Sequence, residues 1–259
     1  MKQLIYLTLF LVTAAFSQEK VEATLTNSNE LKADTLVSVD DFATTYYTSN
    51  NVFYKKYGAK IITYNNLQLG DIFSANVFNP LKINLFYKDF NTIIILDNRL
   101  AEIFKIDFNT VSPYKNVSQV STGFDNTIWI FNQDQQKLEL FDYKTQTTRA
   151  QTAPVESMVL DLKSNYNYCW LLTKNHLFVF NYFGALVSKT ENSGYTSIEI
   201  FKEGCLLKKN NTLYYLKHNL KTPTEIKIPN LMIHGFSVTN ETLYIYDNKN
   251  LHKLQLKID

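Results

Sequence analysis

Residues 171–181 read LLTKNHLFVFN, an apolar run, a polar turn and a second apolar run. Short runs rich in β-branched and aromatic side chains read as strands, and two of them around a polar turn read as a β-hairpin. The same form returns at LLKKNNTLYYLKHN from 206, LYIYDNKNLHKLQL from 243, IIILDNRLAEIFKIDF from 93 and IWIFNQDQQKLELFDY from 128. The Asn and Asp of these turns suit the left-handed backbone angles that tight hairpins require. A chain that writes one hairpin this often is a repeat protein.

Outward from that stretch, the unit has four strands. VESMVLDLK from Val155 is a first strand, YCWLLTK a second, HLFVFNYFG a third and LVSKTE a short, polar fourth. YTSIEIFK, CLLKK, TLYYLKH and TEIKIP follow in the same order. On this scheme first strands begin near Phe42, Leu81, Val117, Val155, Tyr195 and Met232, at spacings of about 36 to 40 residues. A period of roughly 20 to 50 residues marks a solenoid, a propeller or an array, and four strands in about 40 residues is the size of a propeller blade. A β-sandwich shares the alternation but does not need equal units. The polar fourth strands suit an outer edge that must not recruit other chains. After LHKLQLKID the last unit lacks a fourth strand, and KADTLVSVD at 32–40 is left over at the other end. The expected fold is therefore all-β: a six-bladed β-propeller over residues 32–259, four short antiparallel strands per blade, the last blade closed by the N-terminal strand 32–40.

The totals agree. The chain has 259 residues with 17 Tyr and 18 Phe but only 7 Gly, a bias toward pleated, half-buried surface. Net charge is +2 with no basic run, so the footprint of a nucleic-acid binder is missing. MKQLIYLTLFLVTAAFSQEK has one Lys, an apolar stretch from Leu4 to Val12, and Ala15 and Ser17 at −3 and −1 of a cut before Gln18. This reads as a cleaved signal peptide over 1–17, since a membrane-spanning helix needs about 20 apolar residues. No Cys follows the apolar stretch to carry a lipid. The expected protein is exported, periplasmic, not lipidated and not membrane-spanning, with residues 18–31 as a polar leader. Cys169 and Cys205 fall at corresponding points of neighbouring units, so they are expected to lie farther apart than the roughly 7 Å a disulfide tolerates and to be buried free thiols, a disulfide being the alternative.

Chemistry is sparse in the sequence. His176, His218, His234 and His252 form no metal-binding spacing, and there is no G-x-S-x-G elbow, phosphate loop or EF-hand loop. Asp40 and Asp41 are adjacent, so on a strand they point to opposite faces and suit a solvated turn better than an acid–base pair. Neither cofactor nor metal nor catalytic residue is expected, with a metal on the propeller axis left open. The segment LQLGDIFSANVFNPLKINLFYKDFN, 67–91, is the most apolar connection between units. Its Phe73, Phe78, Asn79, Pro80, Tyr87 and Phe90 are the candidate partner-binding residues, because aromatics are enriched at interface hot spots; the alternative is that these rings pack between blades.

The leader, the six-unit count and NPLKINLFYKDFNTIIILDN at 79–98 resemble a family of secreted propellers of Bacteroidota. One periplasmic member of that group that the chain resembles is the subunit that plugs the giant outer-membrane barrel of the type IX secretion translocon. At fold level the chain is also similar to the propeller lipoprotein of the barrel-assembly machine, without its lipidated Cys. The resemblance implies a non-enzymatic module that binds an envelope protein complex, an outer-membrane barrel among its partners. A carbohydrate-binding or glycan-processing propeller is the alternative, weakened by a content of only two tryptophans, Trp129 and Trp170.

Overall fold

The computed structural model describes residues 21–217 and 221–258, and the leader at 1–17 lies outside them. Among the described residues there is no helix; the chain runs through β1 (Val21–Glu30) to β24 (Asn250–Ile258) as strands and turns. Four sheets have four strands each. They are β2–β5 (Thr35–Val39, Thr45–Ser49, Val52–Tyr57, Lys60–Tyr64) and β6–β9 (Ser74–Asn76, Ile83–Tyr87, Thr92–Leu96, Glu102–Asp107). Next come β10–β13 (Val117–Thr122, Thr127–Asn132, Lys137–Asp142, Thr147–Gln151) and β14–β17 (Val159–Ser164, Tyr168–Thr173, His176–Asn181, Leu186–Glu191). A fifth sheet has eight strands in the order β18-β19-β20-β21-β1-β24-β23-β22. Its further members are β18 (Ser197–Phe201), β19 (Gly204–Lys209), β20 (Thr212–Leu216), β21 (Thr224–Lys227), β22 (Gly235–Thr239) and β23 (Thr242–Tyr246). The sequence led us to expect six separate four-stranded units; four stand as such sheets.

Consecutive strands within each sheet pair antiparallel, as meanders. The first strands pack side by side about an axis, β6 on β10, β10 on β14, β14 on β18, β18 on β22 and β22 on β2. This is a β-propeller with four-stranded blades. Middle strands read as unbroken apolar runs because both of their faces are covered: INLFY of β7 and TIIIL of β8 are buried at every position. Outer strands alternate with solvent, as in LVSKTE of β17, whose polar edge discourages pairing with other chains. The core is a series of apolar layers, each between one group of strands and the next. Ile93, Ile95, Ile128 and Phe141 fill one layer, and Trp129, Leu140, Leu171 and Phe180 fill another.

Closure differs from the expectation. Strand 32–40 does not complete the last sheet; its residues Thr35–Val39 form β2, the first strand of the first sheet, with Leu36 and Val39 buried. The completing strand is β1, which lies in the segment expected to be a polar leader. It pairs antiparallel with β24 from Val21↔Ile258 to Glu30↔Asn250 and parallel with β21 at Val21↔Ile226 and Glu22↔Lys227. VEATLTNSNE shows no apolar alternation because only Val21 and Ala23 are buried; an outer strand needs little more. The same slip moved two strand origins. Phe42 lies in the β2–β3 turn and Leu81 in the β6–β7 turn, so IIILDNRLAEIFKIDF spans third and fourth strands rather than second and third. The 67–91 segment is likewise no mere connection, since it contains β6 and β7; β6 has three residues, too few for a visible period. Cys169 and Cys205 are buried and free.

Candidate functional site

Antiparallel meanders put the turns on two faces. One face carries the turn between the first and second strands of each group and the turn between its third and fourth. The other carries the turn between second and third strands and the connection to the next group. The six candidate residues do not gather on either. Phe73 and Phe90 lie on the second face, half exposed: the Phe73 ring meets Phe86 edge-on at 5.9 Å with the Lys88 ammonium 4.6 Å from its centre. Phe90 covers Gly70, where an added Cβ would come within 3.3 Å of the ring. Phe78, Asn79 and Pro80 form the β6–β7 turn on the first face, closed by Leu81 N–H donating to Asn79 Oδ1 at 3.0 Å. Tyr87 is core, with Phe53, Leu85, Ile94 and Leu96 around it, and burial pushes its hydroxyl pKa up to about 12.

The first face opens onto the axis. A cavity of about 320 Å³ lies there, walled by the ends of β2, β6, β14, β18 and β22 and by Asp40, Asp41 and Phe78. Below Phe78 a polar layer ties first strands together. Asn76 Nδ2 donates to Ser121 Oγ at 3.1 Å, and Ser164 Oγ donates to Ser121 Oγ at 2.7 Å. Asn76 Oδ1 accepts from Thr122 Oγ1 at 2.7 Å, and the Ser38 and Ser237 hydroxyls meet at 3.1 Å. These short hydroxyl and amide side chains bond from one first strand to the next across this part of the axis.

One wall carries charge. Lys163 Nζ on β14 donates to Glu199 Oε1 on β18 at 2.5 Å, with both side chains partly open to the cavity. Asp161, two residues before Lys163, accepts from its own neighbour Leu162 N–H at 2.8 Å and from Ile198 N–H at 2.9 Å. Burial raises the Glu199 carboxyl above its usual range, against the pull of Lys163. Burial alone would lower Lys163, but the carboxylates of Glu199 and Asp161 outweigh it and raise the ammonium. At the rim, Asp40 takes the Phe42 and Thr44 N–H groups on Oδ1, at 2.9 and 2.8 Å, and the Tyr46 hydroxyl on Oδ2. Asp41 accepts from Asn240 Nδ2 at 2.8 Å. These aspartates are turn residues, as their adjacency suggested, but they also stand at the mouth of the cavity.

Aromatic side chains stand in the turns of the same face, with Phe78 on the cavity wall. Phe78 touches Tyr166 edge-on at 4.9 Å, and both are half exposed. Phe124 meets Tyr182 at 5.8 Å, Tyr182 meets Phe183 at 4.0 Å, and Phe42 is 78% exposed. Sequence reasoning missed Tyr166, Lys163 and Glu199. The available signal was a charge inside an apolar first strand, DLK in β14 and IEI in β18, where a solvated edge is not an option.

The described histidines, His176, His234 and His252, do not line the cavity, and His218 lies outside the described residues. His252 Nε2 bonds Asp247 Oδ2 at 2.8 Å and its Nδ1 bonds Ser28 Oγ at 2.7 Å, tying β1 to β24 and to the turn before it. A Ser–His–Asp order is present, but Ser28 and His252 are direct cross-strand partners at a sheet margin, and the bonds act as a clasp on the closing strand. Among the described residues no three His, Cys, Asp or Glu side chains are grouped to hold a metal. Trp129 and Trp170 are buried, so neither offers a platform to a sugar.

No family model matches the chain and no curated protein matches it. Solved structures do. A catalytically inactive virginiamycin B lyase from Staphylococcus aureus with quinupristin is similar at TM-score 0.62 and 12% identity, over 93% of this chain and 96% of that one. A chain of a mitotic checkpoint complex is similar at TM-score 0.60 and 9% identity, over 98% of each. BamB from Moraxella catarrhalis is similar at TM-score 0.54 and 11% identity, over 90% of this chain and 99% of that one. At these identities the likeness concerns the propeller fold alone.

Proposed function

We propose that the chain is a protein-interaction propeller of the cell envelope that binds its partner with the aromatic face around the axial mouth. The observation that carries this is the set of exposed aromatic side chains in the turns of that face: Phe42, Phe78, Tyr166, Tyr182 and Phe183. Aromatics with open faces at the centre of a flat surface are the usual anchors of protein interfaces. The similar chain in a mitotic checkpoint complex supports the reading as a propeller that works within an assembly. The leader-like sequence at 1–17 supports export to the periplasm, and a plug-like subunit of a type IX translocon is the finest form of the proposal.

On this proposal the ring has six blades. The eight-stranded sheet divides into β18–β21 and β22–β24 with β1, because two residue pairs join β1 to β21 whereas nine join it to β24. An apolar layer with Leu206, Leu213, Leu243 and Leu254 separates the two quartets. β1 is then the outer strand that closes the ring.

The test is the double variant Phe78→Ala/Tyr166→Ala in cross-linked purifications from native envelopes. Truncating an interface anchor often costs 2 kcal/mol or more, a loss of about thirtyfold in affinity. The partner should be captured by the wild type and lost by the variant, with melting shifted only slightly. Capture that survives the double substitution overturns the assignment of the face.

A further inference from the structure

The axial cavity is charged asymmetrically. Four carboxylates stand in or beside it, Asp40, Asp41, Asp161 and Glu199, and one lysine, Lys163, whose ammonium is already engaged by Glu199 at 2.5 Å. The cavity therefore presents an excess of negative charge, with Asp40 and Asp41 at a rim they share with Phe78. Phe78 belongs to its wall, and Tyr166 lies against Phe78. A volume of about 320 Å³ is at the small end of ligand pockets, which run from roughly 300 to 1,000 Å³. That is room for one long side chain and its water, not for a folded element. A buried cation must be matched by carboxylates, and the stem of a long basic side chain packs well along aromatic rings. The guanidinium group also stacks on ring faces. An anionic group entering the same space would meet like charge from Glu199 on β18 and from Asp40 and Asp41.

We propose that the cavity receives an arginine or lysine side chain presented by the protein partner. This rests on the interaction reading above and gives that partner its chemistry, a basic residue flanked by apolar ones. The apolar flanks meet Phe42, Phe78 and Tyr166, and the cationic head reaches Asp41 and the free side of the Glu199 carboxylate. Burial holds the Glu199 carboxyl above its usual range, and a second cation relieves that burden, which gives the cavity a reason to admit one.

The experiment uses the folded chain and two probes, Nα-acetyl-arginine amide and its neutral isostere Nα-acetyl-citrulline amide, followed by NMR chemical shifts. The arginine probe should saturate with a dissociation constant on the order of millimolar, equivalent to about −4 kcal/mol. The citrulline probe should not saturate. Asp41→Asn, an exposed rim change, should weaken the arginine probe about two- to fivefold while leaving the melting curve in place. Glu199→Gln should weaken it further. Equal responses to both probes, or no saturable response to arginine, overturns the inference. The two readings fail separately. Arginine binding without any captured protein sinks the interaction module and leaves the cavity assignment standing. Loss of a captured protein in Phe78→Ala/Tyr166→Ala without arginine binding does the reverse.

Discussion

Replacing Lys115 with methionine should be among the most damaging single changes in the molecule, although Lys115 lies in the connection before β10 and not in a strand. Its ammonium donates to Glu139 Oε2 at 2.5 Å and to Thr148 Oγ1 at 3.1 Å, and the two charged side chains are 6% and 2% exposed. Removing one partner of a buried ion pair costs about 3 to 5 kcal/mol, because the other charge stays buried. Glu139 keeps the Thr148 hydroxyl at 2.6 Å and Asn132 Nδ2 at 2.8 Å, so the lower figure, about 3 kcal/mol, applies. At about 2 to 4 °C per kcal/mol for a chain of this size, the melting temperature should fall by roughly 6 to 12 °C. The pH dependence separates this mechanism from simple loss of packing. Burial raises the Glu139 carboxyl, but hydrogen bonds from Lys115, Thr148 and Asn132 and the charge of Lys115 outweigh it and hold it below the usual range. A carboxyl depressed in the folded state adds stability above its unfolded pKa of about 4.3 and loses it as pH falls through the folded value. Without the ammonium, burial favours the neutral acid, so acid relieves the variant while it penalises the wild type. Urea and thermal unfolding at pH 7 and pH 4.5 should therefore show the gap narrowing in acid. Lys115→Met combined with Glu139→Leu should recover most of the loss, since an apolar pair can replace a buried ion pair at little cost. A gap below about 1 kcal/mol at pH 7, a gap equal at both pH values, or a double variant no better than the single one refutes the reasoning.

A chain beginning at Leu31 loses β1 and bares the β24 edge along the nine residue pairs it shared; it should melt lower and self-associate in light scattering, and an unchanged, monomeric melt would refute closure by β1. The Cys169 and Cys205 thiols, raised by burial and in Cys205 to about 12, should react with a maleimide only after unfolding, and labelling of the native protein at the rate of a free thiol would contradict their burial.

The repeat was legible because middle strands must be apolar on both faces, so YCWLLT and HLFVFN carry it openly. First and last strands were not, and for opposite reasons. First strands line a polar axis, where Ser38, Asn76, Ser121 and Ser164 interrupt the apolar pattern. The outer strand β1 buries only Val21 and Ala23, and VEATLTNSNE therefore reads as a leader. Aromatic density did not mark a single surface: Phe78 reaches the axial mouth, Tyr87 is core, and Phe73 and Phe90 sit on the opposite face. Sequence proximity cannot tell these apart, since a three-residue strand carries the chain from one face to the other between Phe73 and Phe78.

That division of faces gives a physical reason for placing the site where we do. On the second face, asparagines of the turns between second and third strands grip the incoming connection in one repeated way. Asn51, Asn91 and Asn211 each donate from Nδ2 to a backbone carbonyl, of Gly70, Lys115 and Leu231. Each accepts on Oδ1 from the N–H two residues later, of Ile72, Val117 and Ile233. Backbone groups of connections that would otherwise lie unpaired between sheets are satisfied in this way, and the polar side chains of those turns are consumed in holding neighbours together. On the first face, Asp40 and Asn165 serve mainly the backbone of their own turns, while Phe42 stands largely in solvent and Phe78 and Tyr166 touch each other with about half of each side chain still exposed. Large apolar side chains held partly in solvent by hairpins stabilise the fold less than buried ones would, and that exposed surface on the first face is what the proposed partner contact rests on.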